Sequence, residues 1–136
     1  MKSVLMVLIF LPLICLLVSF FLYLINREKY SKLISTFQNK YTFPMPYQLH
    51  ANMGYLGSPL ITYFFSKLKQ KKGIFFLEKK SSAYNFFLNN EFTKPIRWLQ
   101  FMHLIYLIGF SACLILGLIA ILIKLEAIWY VNVPSI

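Results

Sequence analysis

The chain has 136 residues, 59% of them hydrophobic and only 13% charged. Soluble domains carry about 25% charged residues, so the composition argues against an ordinary soluble enzyme and for a membrane protein. Fourteen Lys and Arg against four Asp and Glu leave a net charge of +10, which suits nucleic acid, anionic lipid or membrane topology, and the positions of the charges must decide.

The first apolar run is Val4 to Ile25, preceded only by Met1, Lys2 and Ser3. At about 1.5 Å per residue its 22 residues form a helix that crosses the roughly 30 Å hydrocarbon core of a bilayer. A cleaved signal peptide is the rival, but the apolar core is longer than the usual 7–15 residues and no A-x-A-like site follows. The run passes straight into Asn26-Arg27-Glu28-Lys29, which reads as a membrane exit and predicts an uncleaved span. Pro12 falls inside it and predicts a packing kink, a defect that membrane helices tolerate.

Beyond the exit, Tyr30, Leu33, Ile34, Phe37 and Tyr41 recur at helical spacing, so the helix is expected to continue past the membrane. Glu28 and Lys32 add an i,i+4 pair in the favourable order. Pro44 and Pro46 then stop any helix. The stretch from Tyr47 to Gly57 has no clear period and predicts a loop or a short helical turn. Gly57-Ser58-Pro59 is a helix start, with serine able to cap free amides and proline suited to the first turn. Leu60, Ile61, Phe64, Phe65 and Leu68 then form one apolar stripe, and Gly73 is placed to end the helix. Such a basic amphipathic helix suits either the anionic leaflet, through Lys67, Lys69, Lys71 and Lys72, or packing within the loop. Ile74 to Leu77 read as a buried strand or a connector. Ser81 or Ser82 caps a second short helix through Phe92, with Tyr84, Phe87, Leu88 and Phe92 inward. Thr93 is a candidate cap for the last helix, with Lys94, Pro95 and Arg97 in its first turns.

The second apolar run, Phe101 to Ile123, has 23 residues and no ionised side chain. Trp98 before it, and Trp129 with Tyr130 after it, stand where amphipathic rings settle at the headgroup layers. Between the runs, residues 26–100 hold twelve basic residues against Glu28, Glu78 and Glu91; outside them lie only Lys2, Lys124 and Glu126. The positive-inside rule therefore predicts a cytoplasmic loop with both termini on the other side. It assigns the +10 to topology and anionic lipid, and away from nucleic acid.

The fold class expected is an all-α membrane protein: two antiparallel transmembrane helices joined by a basic, partly helical cytoplasmic loop. The parts are a first span at 1–25, a cap at 26–100, a second span at 101–123 and a short outer tail at 124–136. In the second span Gly109, Cys113 and Gly117 recur every four residues, as small residues do where helix backbones approach in lipid. Cys15 and Ser19 repeat the spacing in the first. These five residues are the expected helix-packing seam, with Ser19 at the level of Gly109; a dimer seam or a docking face for a larger membrane protein are the alternatives.

Chemistry is sparse. Cys15 and Cys113 both lie in apolar runs, so no secreted disulfide framework is implied. His50 and His103 lie in different segments with no Cys or carboxylate at metal-ligand spacing. His103 is the one intramembrane candidate for a proton relay. Neither a G-x-S-x-G elbow nor a phosphate-cradling glycine loop is present, so no catalytic, cofactor or metal residue is assigned.

Tyr55-Leu56-Gly57-Ser58-Pro59, Tyr84 to Phe92, and Arg97-Trp98-Leu99 before the last span resemble, in order and pattern over about residues 41–123, universal stress protein B and related small two-span bacterial membrane proteins. The loop is poorer in acidic residues than that pattern, and a tail follows Ile123. The resemblance implies an inner-membrane protein linked to stress or stationary-phase survival, and carries over no site residue. The function expected is therefore a non-enzymatic inner-membrane protein acting on lipid or a membrane partner. An accessory subunit of a transporter or respiratory complex, and a holin-like pore-former or membrane-active toxin, are the alternatives.

Overall fold

The computed structural model describes residues 2–88 and 96–132, the last three through their backbone alone. Helix α1 runs from Lys2 to Lys40 without a break. The first apolar run and the amphipathic stretch beyond it thus make one rod about 58 Å long. Pro12 lies inside it, with helix on both sides. The rod stops where the prolines begin, and Met45–Pro46 is a cis peptide. A single turn, α2 (Tyr47–Ala51), follows, then α3 (Ser58–Lys69), a 3-10 turn at Ser82–Asn85, and α4 (Arg97–Asn132). No strand occurs among the described residues. α1 and α4 are the two helices long and apolar enough to cross a membrane.

Several local expectations change. Gly57, rather than Ser58, occupies the cap position of α3, and no side chain caps it. The Ser58 hydroxyl goes instead to the carbonyl of Tyr55, at 2.6 Å. A Cβ on Gly57 would stand 1.8 Å from the His50 carbonyl oxygen, so the backbones of α2 and α3 touch there and only glycine fits. At the other end Lys71, at φ 51°, takes the left-handed position expected of Gly73. The amides of Lys71 and Lys72 bond back to the carbonyls of Leu68 and Lys67, the double bond of a Schellman turn. Ile74 is buried and its amide reaches the Tyr84 hydroxyl, but Phe75 and Phe76 point outward. Ser81 does cap the 3-10 turn, accepting from the Ala83 amide. Inward of that turn are Ala83, Phe86 and Phe87, while Leu88 is exposed. Phe92, Thr93, Lys94 and Pro95 lie outside the described residues. Finally, α4 carries the chain on as helix to Asn132, so most of the expected tail at 124–136 continues the rod.

The core sits at one end of the molecule. Phe37, fully buried, is its centre. Its ring lies 4.5 Å from that of Phe43 and within 5.6 Å of Phe64, Phe65 and Phe86, mostly edge to face, as ring quadrupoles prefer. Tyr30, Leu33 and Ile34 from α1, Ile61 and Leu68 from α3, and Leu99 and Met102 from α4 complete it. Side chains from every element of the cap thus share one packed core.

The rest of the two rods is bare. Of the most apolar window in α1 only 6% is buried, and of that in α4 only 11%. A core helix of a soluble protein would be mostly covered. The accessible surface, 10013 Å², also exceeds the roughly 7,400 Å² expected of a compact monomer of this mass, the excess lying on protruding apolar helix.

Two substitutions probe this packing. Phe37→Ala should cost about 3–5 kcal/mol, the usual loss for a buried phenylalanine. Lys71→Gly should gain about 1 kcal/mol by relieving the left-handed turn. Denaturant unfolding in mild detergent, followed through the tyrosine and tryptophan signals, measures both.

Candidate functional site

The contact between α1 and α4 follows the helical repeat. From Met102 on, the buried and half-buried positions of α4 are Met102, His103, Ile105, Tyr106, Gly109, Ala112, Leu116 and Ile119; Met102, Ile105, Gly109, Ala112, Leu116 and Ile119 among them follow steps of three and four, as on a packed helix face. On α1 the matching line runs Leu8, Leu11, Cys15, Ser19, Leu22, Asn26 and Tyr30. Of the five expected seam residues, three lie on these lines. A Cβ on Gly109 would stand 3.1 Å from that of Cys15, and Ser19 is fully buried. The other two turn away. Cys113 is exposed, and nothing lies within 4 Å of a Cβ built on Gly117. Steps of four overshoot a 3.6-residue turn by about 40° each, so Gly117 lies roughly 80° around α4 from Gly109. The buried small residue after Gly109 is instead Ala112. The register also differs by about one turn: Gly109 meets Cys15, and Ser19 lies level with Tyr106.

Around that level four hydroxyls gather. Ser19 Oγ donates to the carbonyl of Leu16 at 2.9 Å and pairs with the Tyr55 hydroxyl at 2.8 Å. Tyr55 also reaches the Leu16 carbonyl, at 3.2 Å. From α4, Tyr106 pairs with Ser58 Oγ at 2.6 Å, and its hydroxyl interacts with those of Ser19 and Tyr55. Because the Ser58 proton serves the Tyr55 carbonyl, Tyr106 is the donor in that pair. The segment between α2 and α3 is thereby bonded to both rods at once. Tyr23 flanks it, its ring 5.5 Å from Tyr55 and 5.3 Å from Tyr30. Asn26 turns its amide onto the Leu22 carbonyl. The Tyr30 hydroxyl is buried without a protein partner.

The basic edge lies where α3 crosses the beginning of α4. Lys69 Nζ donates to Gln100 Oε1 at 3.4 Å. Lys67 Nζ stands 5.7 Å above the ring of Tyr63, which in turn lies 5.8 Å from that of His103. His103 Nδ1 is buried and finds no hydrogen bond. Among the described residues no ion pair engages Lys67 or Lys69. Lys71 and Lys72 are exposed on the Schellman turn, and Lys71 lines a cleft of about 370 Å³ with Gly73, Lys79 and Tyr84. The apolar stripe of α3 is not free to lie on a leaflet: Ile61, Phe64, Phe65 and Leu68 are fully buried in the cap. Of that helix Pro59 is exposed, and Leu60, Tyr63, Lys67 and Lys69 are half-buried at its outer edge.

No group of three or more potential metal ligands occurs among the described residues. Tyr55, Ser58 and Tyr106 escaped the sequence reading because hydroxyls scattered over three segments carry no spacing signal. Their one hint is position, polar side chains standing in otherwise charge-free sequence.

The seam is tested by paired substitutions. Gly109→Leu should force α1 and α4 apart and lower the thermal stability in detergent clearly, since the obstacle is Cys15 on the facing helix. Gly117→Leu should leave the melting temperature within error. Equal effects of the two would contradict the packing described.

No family model, no curated protein and no solved structure shows significant similarity to this chain.

Proposed function

We propose that the chain is a small integral inner-membrane protein of two antiparallel spans, whose cytoplasmic cap acts non-enzymatically by binding anionic lipid headgroups and, through them, membrane partners. The bare apolar surfaces of α1 and α4 support the membrane reading, since water would expose them at great cost. The contacts support the antiparallel arrangement. Stepping from Ser19 back to Cys15 on α1 corresponds to stepping from Tyr106 forward to Gly109 on α4. The excess of lysine and arginine between the runs supports a cytoplasmic cap.

One observation carries the headgroup reading. Lys67 and Lys69 stand beside Gln100 and His103, at the start of the apolar run of α4, without an acidic partner among the described residues. Ammonium groups at that level meet lipid phosphates, with the stems lying on apolar surface. Each lysine near an anionic leaflet contributes about 1 kcal/mol. Lys71 and Lys72, exposed on the following turn, extend the same field. The likeness to universal stress protein B adds a stress-survival role, carried by that resemblance and by no residue of the site.

The test is the lipid that stays bound. Replacing Lys67 and Lys69 together by glutamine should reduce co-purifying phosphatidylglycerol or cardiolipin at least about tenfold, measured by native mass spectrometry, with phosphatidylethanolamine unchanged. An unaltered lipid profile would sink the headgroup assignment.

A further inference from the structure

Between Lys40 and Lys67 the chain carries no Lys, Arg, Asp or Glu, although charges crowd the loop on either side. The structure places the middle of this stretch far down α1. Tyr55 bonds Ser19 and the carbonyl of Leu16, which lie six and nine residues before Ile25, the end of the first apolar run. Along a helix those offsets are about 9 and 13 Å, most of the way from one face of a bilayer core to its middle. Meanwhile Met45, Leu49, Met53 and Leu56 are 45–75% exposed, the stripe of large apolar side chains that this segment turns outward. α1 shows the same kind of surface at this depth, with Leu17, Phe20 and Phe21 exposed.

We infer that residues 45–57 form a re-entrant element, seated in the cytoplasmic leaflet against α1 and α4, with Met45, Leu49, Met53 and Leu56 in contact with lipid acyl chains. The inference rests on the proposed membrane insertion of α1 and goes beyond it. Backbone at such depth must satisfy its own polar groups, and the first part of this segment does so. The amides of Tyr47, His50, Asn52, Met53 and Ser58 all bond to carbonyls three or four residues back. His50 turns its Nδ1 onto the Pro46 carbonyl, and the Tyr55 and Ser58 side chains are engaged as described. Gln48 and Asn52, exposed beside the stripe, supply the polar side that faces headgroups.

The two native cysteines are replaced (Cys15→Ala, Cys113→Ala), and single cysteines are introduced by Leu56→Cys, Leu49→Cys, Ile14→Cys and Lys72→Cys, all at exposed positions. Membranes opened to both aqueous faces are treated with a charged maleimide; nitroxide labels attached in detergent are then read in vesicles for collision with lipid-phase oxygen. Lys72→Cys should label fully. Loss of labelling at Leu56→Cys and Leu49→Cys as complete as at Ile14→Cys, with strong oxygen relaxation, is the expected result. Ready labelling at both loop sites with Ile14→Cys protected would overturn the re-entrant element and leave the span standing. Ready labelling at Ile14→Cys as well would overturn the membrane reading together with this inference. Protection without oxygen relaxation would mean that protein, rather than lipid, covers the stripe, and would also overturn it.

Discussion

The structure hangs on a few hydrogen bonds made in an otherwise apolar setting. The hydroxyls of Ser19, Tyr55, Ser58 and Tyr106 are hydrogen-bonded in pairs and to the carbonyls of Leu16 and Tyr55. Each such bond in water is worth about 1 kcal/mol net. Where water is excluded, the larger quantity is the penalty for leaving any of these groups unpaired. That penalty makes the cluster a lock. If the segment between α2 and α3 slides along either rod, several buried hydroxyls lose partners together, and no other arrangement of an apolar surface would restore them. Van der Waals contact between two smooth apolar helices cannot define a register so sharply.

Above that lock the chain packs a core of its own. The aromatic cluster around Phe37 draws on every element of the cap, and α3 turns its apolar stripe inward to join it. Below it, the paired rods leave most of their apolar side chains uncovered. The two halves are joined by continuous helix, because α1 and α4 each run through both. The cap is therefore held at a defined height and rotation relative to the rods, and the lysines of α3 stand at a defined place beside the start of α4.

Much of this was legible in the chain itself. Long charge-free runs imply long helices, and Pro44 with Pro46 imply the end of the first. Tyr30, Leu33, Ile34 and Phe37 announce a buried stripe by spacing alone, since a polar surrounding makes apolar periodicity visible. The same method failed on the contact between the rods. Every face of α1 and α4 there is apolar, so periodicity is silent, and the small residues at steps of four led to Cys113 and Gly117. The actual face drifts with the 3.6-residue turn and takes Ala112 instead. Near Gly57 a local rule misled in the same way: the serine suited to capping was needed elsewhere, by Tyr106 on α4.

The sequence by itself determined which segments are helical, which of them are long and apolar, and where the positive charge lies, because these depend on hydrophobicity and on backbone chemistry within a few residues. Only the tertiary structure decided that α3 buries its apolar side within the cap, that Cys15 rather than Ser19 meets Gly109, and that the charge-free segment before α3 lies deep against α1. Those outcomes depend on pairings between residues far apart in the chain, Ser19 with Tyr55, Ser58 with Tyr106 and Cys15 with Gly109, which share no pattern along it and meet only in the folded molecule.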